Sequence, residues 1–408
     1  MNLYQIGYAR TDITPPVGMP YLAWRPRHQP IKGVHDPLFA RAACIEADER
    51  VIIVSADTIG FADTILGPRR SFIGETKAEI ERRTGVPGSH ILIASNHIHS
   101  SAETLDFRPL SAEYPDAGSW LEDLQQSLVD CDASACRDTV EARLSVGRGA
   151  VSGLAKNRRG DDCLDQEVIT LTFLSDRGAE LVMVNYACHP VILQCWDQVS
   201  ADYVGAMRTH VEQGTSASCM FLMGACGDIN PLRADSKDYA DSDAMGRAIA
   251  DEVLRLLTED HPAEPAVIRA GSAFVGFPSR ALPSVDDLPD GDNAEALVRI
   301  AEGTGPFRGE VQAIRIGEAL IVAMPGEIFC STGMAVKEMC RPLSGIPVGY
   351  SNGYLGYFIP PHAWAKDTYE TCLGPWSKVG PEAEAVLLDT IRMLIGHQPS
   401  AISHSFRL

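Results

Sequence analysis

Positive charge is what this chain of 408 residues has least of: 35 lysines and arginines face 54 aspartates and glutamates, a formal net charge of −19. That deficit excludes a nucleic-acid binder, whose phosphate contacts need a basic face, and a protein that docks on anionic lipid. Long hydrophobic runs are missing too. Nothing approaches the roughly 18 consecutive apolar residues of a membrane span. The start, Met1-Asn2-Leu3-Tyr4-Gln5, lacks a basic stretch followed by an apolar core, so no leader is expected. The 11 cysteines contain no Cys-x-x-Cys. An odd count without a leader fits reduced thiols in a cytoplasmic protein, most of them small core residues. The phosphate-cradling patterns Gly-x-Gly-x-x-Gly and Gly-x-x-x-x-Gly-Lys-Ser/Thr do not occur, which removes kinase and dehydrogenase readings. No fixed-period repeat or low-complexity tract stands out. The expected partner is a small-molecule substrate, and self-association into a homo-oligomer stays open.

What remains is an ordinary globular composition, 45% hydrophobic and 22% charged. The length exceeds a usual compact domain. It is read as one large catalytic domain, 1–408, with the Pro/Asp/Gly-rich stretch 277–292 as the best internal boundary. Short β-branched runs at Phe39–Glu46, Val51–Ser55, Ile91–Ser95, Val168–Leu174, Leu181–Ala187, Met220–Met223, Val311–Ile316 and Ala319–Met324 predict strands. Helical patterns fall at Arg69–Arg83, Trp120–Cys136, Tyr203–Gln213, Asp241–Leu257 and Ile328–Cys340. The polar stretch Ser101–Ser119 reads as a loop or lid over a site. The fold class is α/β (α+β), a large mixed sheet with flanking helices.

The strand ends carry the chemistry. Ile91–Ser95 runs into Asn96-His97-Ile98-His99, and residues two apart in an extended segment point the same way. Leu181–Ala187 ends in Cys188-His189-Pro190, and Ala319–Met324 in Pro325-Gly326-Glu327. Met220–Met223 leads to the turn Gly227-Asp228-Ile229-Asn230-Pro231, and Asp57 follows Val51–Ser55 directly. Polar tips on successive strand ends suggest one convergent site. Two imidazoles and a carboxylate are a usual protein contribution to catalytic zinc.

In this order, Gly7-Tyr8-Ala9-Arg10-Thr11-Asp12-Ile13-Thr14-Pro15, Gly33-Val34-His35-Asp36-Pro37, Asn96-His97-Ile98-His99-Ser100, Asn157-Arg158, Gly227-Asp228-Ile229-Asn230-Pro231, Pro325-Gly326-Glu327, Asn352-Gly353-Tyr354-Leu355-Gly356-Tyr357 and Tyr369-Glu370 resemble the catalytic domain of the neutral (non-lysosomal) ceramidases. The resemblance implies a zinc hydrolase that cleaves an amide bond, with one Zn2+ per chain. It implies His97, His189, Glu327 and Tyr357 as the metal ligands, Tyr357 on the resemblance alone. It also implies His99, Arg158 and Tyr369 around the substrate and the tetrahedral intermediate. The chain departs from the family in three ways. Asn230 stands where the family has a serine tied to its amidase activity. Ser101-Ala102-Glu103-Thr104 replaces a glycine-rich stretch, and the chain ends where the family continues into an immunoglobulin-like β-sandwich. These departures favour a small soluble amide or ester over ceramide drawn from a bilayer.

Zinc chemistry then assigns roles. His99 would act as general base and then general acid. Arg158 would grip a carboxylate or the oxyanion, Asn230 would donate to the same oxyanion, and Asp57 would contact substrate. Asp228 would either orient a histidine or stabilise its turn. Open alternatives are an esterase or lactonase on the same site, a metal- or ligand-binding protein that has lost catalysis, and a cysteine hydrolase built on Cys188 or Cys226.

Overall fold

Alternating residues of the apolar runs serve two different cores. In Arg50–Ala56, Ile52, Val54 and Ala56 join one hydrophobic cluster, while Val51 and Ile53 join another. Ile91–Ser95 repeats the pattern, with Ile91 and Ile93 on one side and Leu92 and Ala94 on the other. A strand buried on both faces has no polar side to show, so its sequence reads as a continuous apolar run.

The computed structural model describes residues 3–21, 29–107, 117–194, 196–259, 265–288, 294–302 and 306–396. Eight strands form the large sheet: β1 (Tyr4–Asp12), β2 (Phe39–Glu46), β3 (Arg50–Ala56), β4 (Ile91–Ser95), β5 (Val140–Ala150), β6 (Glu167–Ser175), β7 (Gly178–Tyr186) and β8 (Ser218–Met223). Their spatial order is β8-β7-β6-β5-β1-β2-β3-β4. A second sheet has the order β9 (Ile268–Phe277), β10 (Phe307–Ile316), β11 (Ala319–Ala323) and β12 (Ser344–Val348). The 277–292 stretch therefore lies within the connection of one hairpin, whose strands pair from Ile268↔Ile316 to Phe277↔Phe307.

Seven helices occur among the described residues: α1 (Phe72–Thr84), α2 (Ala117–Ala135), α3 (Asp202–Thr215), α4 (Tyr239–Leu256), α5 (Ala294–Glu302), α6 (Cys330–Met339) and α7 (Ala383–Gly396). Ser71 caps α1 by accepting from the Gly74 N–H at 3.0 Å, and Gly85 ends it in the left-handed region at φ 74°. Helix α3 starts after Ala201 with no side-chain cap. Helices α1 to α4 cover the outer face of the large sheet, through residues such as Phe72, Leu124, Met207 and Ile249. Helices α6 and α7 cover the outer face of the small one, through Val336, Leu387 and Ile391. The two sheets bury Leu171, Met183, Ile314 and Ile321 between them. The layers are helix, sheet, sheet, helix. This is the mixed α/β architecture with flanking helices, built on two sheets. No described helix is long and apolar enough to cross a membrane.

The connectivity repeats three times. β1–β2–β3 is an antiparallel meander, and after α1 the chain adds β4 parallel to β3. β5–β6–β7, α3 and β8 do the same, and so do β9–β10–β11, α6 and β12. The three last strands meet at their carboxyl ends. Ser95 N–H donates to Tyr350 C=O at 3.1 Å, Asn352 N–H to Ile93 C=O at 2.7 Å, and Gly349 N–H to Met223 C=O at 3.0 Å. No sequence period betrays this, because the three units share topology and not residues. Most of Ser101–Ser119 lies either in α2 or outside the described residues.

A buried ion pair ties the layers. Lys77 of α1 donates to Glu310 of β10 at 2.7 Å, with both side chains buried. Removing one partner of such a pair strands the other in low dielectric. Glu310→Ala should cost about 3–5 kcal/mol in guanidinium unfolding, while Lys77→Met with Glu310→Leu should recover most of it. A single variant within about 1 kcal/mol of wild type would show that water reaches the pair.

Candidate metal centre and active site

Three of the four expected ligands sit just past the end of a main strand, and Tyr357 lies in a short strand paired with Glu327–Ile328. His97 follows β4, His189 follows β7, and Glu327 follows β11. Their orientation is set by backbone carbonyls. His97 Nδ1 lies 2.6 Å from Ile59 C=O, and His189 Nδ1 lies 3.1 Å from Ile229 C=O. A ring nitrogen facing a carbonyl must carry the proton, which leaves Nε2 of each imidazole as a lone pair. Burial lowers both rings' pKa, that of His97 well below the usual value and that of His189 to about 3. Neither is protonated at neutral pH.

Those lone pairs converge. His189 Nε2 is 3.2 Å from Glu327 Oε2, His97 Nε2 is 3.6 Å from the same oxygen, and His99 Nε2 is 3.1 Å from His97 Nε2. His97, His99 and His189 form a group whose ligand atoms all lie within 4.8 Å of one another. The two carbonyl-locked imidazoles face the Glu327 carboxylate as acceptors facing an acceptor, which repel at such distances unless a cation stands among them. Nitrogen and carboxylate donors with carbonyl-locked Nδ1 atoms fit zinc. His99, expected beside the ligands, is itself inside this group.

Tyrosines hold the carboxylate. Tyr354 O–H donates to Glu327 Oε1 at 2.5 Å and Tyr350 O–H to Oε2 at 3.3 Å. The Tyr350 ring also stacks on His97, with centroids 3.9 Å apart. Sequence reasoning passed over both tyrosines' role. The one signal was conformational, since Asn352-Gly353 marks a turn. His97, Tyr350 and Asn352 adopt φ of 57°, 52° and 55°, a region non-glycine residues seldom enter and one that gathers at functional sites. Gly356 (φ 81°) is required there, because a Cβ would lie 2.2 Å from Trp376 C=O.

Arg158 organises the opposite wall. Nε donates to Glu370 at 2.6 Å, Nη1 to Asn230 Oδ1 at 3.2 Å, and Nη2 to Gly227 C=O at 2.7 Å and Tyr357 O–H at 2.8 Å. Its guanidinium carbon lies 5.7 Å from the ring centres of both Tyr357 and Tyr369. Of five N–H groups these bonds leave one, so a bidentate grip on a substrate carboxylate is not available. Asn230 spends its carbonyl on Arg158, which turns its amide N–H2 away from the guanidinium. Burial raises the Tyr357 hydroxyl well above its usual pKa, against the pull of Arg158.

His97, His99, Arg158, His189, Asn230, Glu327, Tyr357 and Tyr369 all line one cavity of about 370 Å3. Asp57 is not among its lining residues. It is fully buried, accepting from Arg208 at 2.6 and 2.8 Å, from Asn96 at 2.8 Å and from Phe39 N–H at 3.0 Å. It thereby fixes Asn96, the neighbour of His97. Asp228 faces no imidazole; it accepts from Cys330 N–H at 2.8 Å and Asn157 at 2.6 Å, holding its turn. Cys188 and Cys226 are buried outside the cavity lining, and burial pushes both thiols up. Gly349-Tyr350-Ser351-Asn352-Gly353 has the letters of a serine-hydrolase elbow. Yet Ser351 is fully buried, its hydroxyl donates to Gly349 C=O at 2.9 Å, and no α-helix follows directly.

Glu370 gives a pH test. Burial alone would raise its pKa, but Arg158 outweighs that and holds it at about 2. A carboxylate depressed in the folded state contributes stability above its unfolded pKa of roughly 4.3 and loses it as pH falls toward 2. Glu370→Gln should remove an acid-labile component on the order of 3 kcal/mol, read from urea midpoints across that range. Parallel pH profiles for variant and wild type would mean the pair contributes nothing net.

No family model and no curated protein sequence matches the chain. Solved structures do. Neutral ceramidase from Pseudomonas aeruginosa superposes with a TM-score of 0.76 at 18% identity, over 98% of this chain and 76% of that one. A ceramidase complexed with C2 gives 0.76 at 17% identity with the same coverage. At this identity the likeness is one of fold, and the fold of this chain is neutral ceramidase-like.

Proposed function

We propose that this protein is a zinc-dependent hydrolase that cleaves the amide bond of a small molecule with an activated water. The observation that carries the reading is the convergence of the unprotonated His97 and His189 nitrogens on the Glu327 carboxylate, with His99 inside the same group, an arrangement that calls for a cation. The fold shared with ceramidases, amide hydrolases by name, supports the bond type.

His97, His189, Glu327 and Tyr357 are assigned as the holders of one ion. The two carbonyl-locked imidazoles are the natural ligands, and the Tyr357 oxygen accepts from Arg158 at 2.8 Å, whose charge partly offsets the effect of burial on the hydroxyl. Zinc held there supplies a Lewis acid and lowers the pKa of water to about 7. His99 is only half-buried, and it takes the proton of the attacking water and returns it to the leaving nitrogen. The developing oxyanion is met by the free N–H2 of Asn230 and the one unspent N–H of Arg158. The Tyr369 ring, stacked on Trp376 at 4.9 Å, packs the apolar part of the substrate. Asn230 is no nucleophile, so this scheme needs no serine.

Elemental analysis of purified protein should find one zinc per chain, lost in His97→Ala and His189→Ala. His99→Ala should keep the metal and lose ~10²–10⁴-fold in turnover; loss of metal instead would move His99 among the ligands. Asn230→Ala should lower kcat by ~10²–10³-fold with metal unchanged, and wild-type rates would reduce Asn230 to a turn residue. Assays on matched amides, esters and lactones decide the bond cleaved. A zinc-loaded protein inert on all three would be a binding module.

A further inference from the structure

Beside the metal-site cavity lies a larger one of about 830 Å3. The two share Leu105, Phe107 and Tyr354 as walls. Tyr354 spans the partition. Its hydroxyl holds Glu327 at 2.5 Å, and its backbone carbonyl accepts from Lys378 Nζ at 3.4 Å, on the side of the second cavity. Nζ also lies 5.6 Å from the centre of the Phe307 ring.

Lys378 has no carboxylate within ion-pair distance among the described residues. The acids of the same wall are spent: Asp63 accepts from Ser71 and Ile73, Glu122 pairs with Arg70, and Asp106 accepts from Thr64 at 2.8 Å with Arg299 3.8 Å away. Burial pushes the ammonium's pKa down to about 8, with Asp106 opposing. A half-buried cation with no direct ion pair is a cost to a fold. It is odd in a chain of net charge −19. Most of the remaining walls, among them Leu66, Leu121 and Ile300, are apolar; Arg308 also reaches the lining, exposed and lying over the Phe274 ring at 4.5 Å.

We propose that this cavity receives the anionic end of the substrate, an aliphatic chain that ends in a carboxylate paired with Lys378. This rests on the amide-hydrolase reading and names its substrate class. One tyrosine separates the carboxylate ligand Glu327 from Lys378, so the anion stands about a tyrosine's length from the scissile carbonyl. The α-carboxylate of an N-acyl amino acid falls short of that reach, whereas an ω-carboxyl group beyond several methylenes attains it.

The test is a series of anilides of ω-carboxyacyl chains of rising length, each beside the same chain ending in methyl. Wild type should prefer the carboxylate at one chain length by roughly ten-fold or more in KM. Lys378→Met should erase that preference with kcat on the methyl series unchanged, and Lys378→Arg should restore it. No preference in wild type, or one that survives Lys378→Met, overturns the proposal. If no anilide is cleaved, calorimetric titration with suberate separates the two failures. Binding that depends on Lys378 keeps the anion site while the hydrolase reading falls; absence of binding overturns the site itself.

Discussion

Two backbone carbonyls decide what this centre is. Ile59 and Ile229 each take the Nδ1 proton of an imidazole, and that choice turns the Nε2 lone pairs of His97 and His189 inward, toward Glu327. Burial then forbids the alternative in which the rings protonate and donate to the carboxylate. The protein has thus set acceptors against one another at 3.2–3.6 Å and closed the cheap ways of relieving them. A surface His–Glu pair would simply charge the histidine. Here the lone pairs persist, and a divalent ion is the chemical group that satisfies them all at once.

That arrangement depends on the threefold repetition of one unit. A meander followed by a helix and a parallel strand gives two adjacent strands whose carboxyl ends point the same way, which is where α/β proteins keep their sites. The first unit delivers His97 from its last strand, and the second delivers His189 from its third. The third delivers Glu327 from its third strand and Tyr350 and Tyr354 after its last. The donors come from non-equivalent positions, so the repeat supplies the meeting point and each unit supplies a different ligand. Backbone bonds between the units, such as Asn352 to Ile93 and Gly349 to Met223, set the donors' distances more rigidly than any loop could.

How much was legible follows from which signals are local. Strand-end residues were readable because an apolar run that stops at a histidine or at Pro-Gly-Glu is a pattern of neighbours. Helices α1 and α4 announced themselves by caps and periodicity. Strand β5, at the centre of the large sheet, did not. Val140-Glu141-Ala142-Arg143-Leu144 alternates polar and apolar residues and then runs into Gly147 and Gly149, which read as a breaker. Asp57 was misleading for a similar reason. A carboxylate at a strand end looks alike whether it faces a substrate or an arginine far along the chain, and the bond from Asp57 to Arg208 leaves no trace between positions 57 and 208. The tyrosines on Glu327 were hidden because their contacts depend on φ values that no residue-type rule assigns to tyrosine.

Asparagine and serine would differ physically at position 230. A hydroxyl beside Arg158 could either accept from the guanidinium or donate onward, and its role would depend on rotation about one bond. An amide has no such freedom. Once its oxygen has taken the Arg158 N–H at 3.2 Å, its nitrogen can only donate, and Arg158 is itself immobilised by Glu370, Gly227 and Tyr357. The chain Glu370–Arg158–Asn230 is therefore a rigid donor, oriented before any substrate arrives. Such preorganisation is what stabilises charge that develops in a transition state, since no dipole must turn as the reaction proceeds. On this wall Asn230 offers a fixed dipole and no nucleophile, which suits the proposed reaction, in which water is the attacking group.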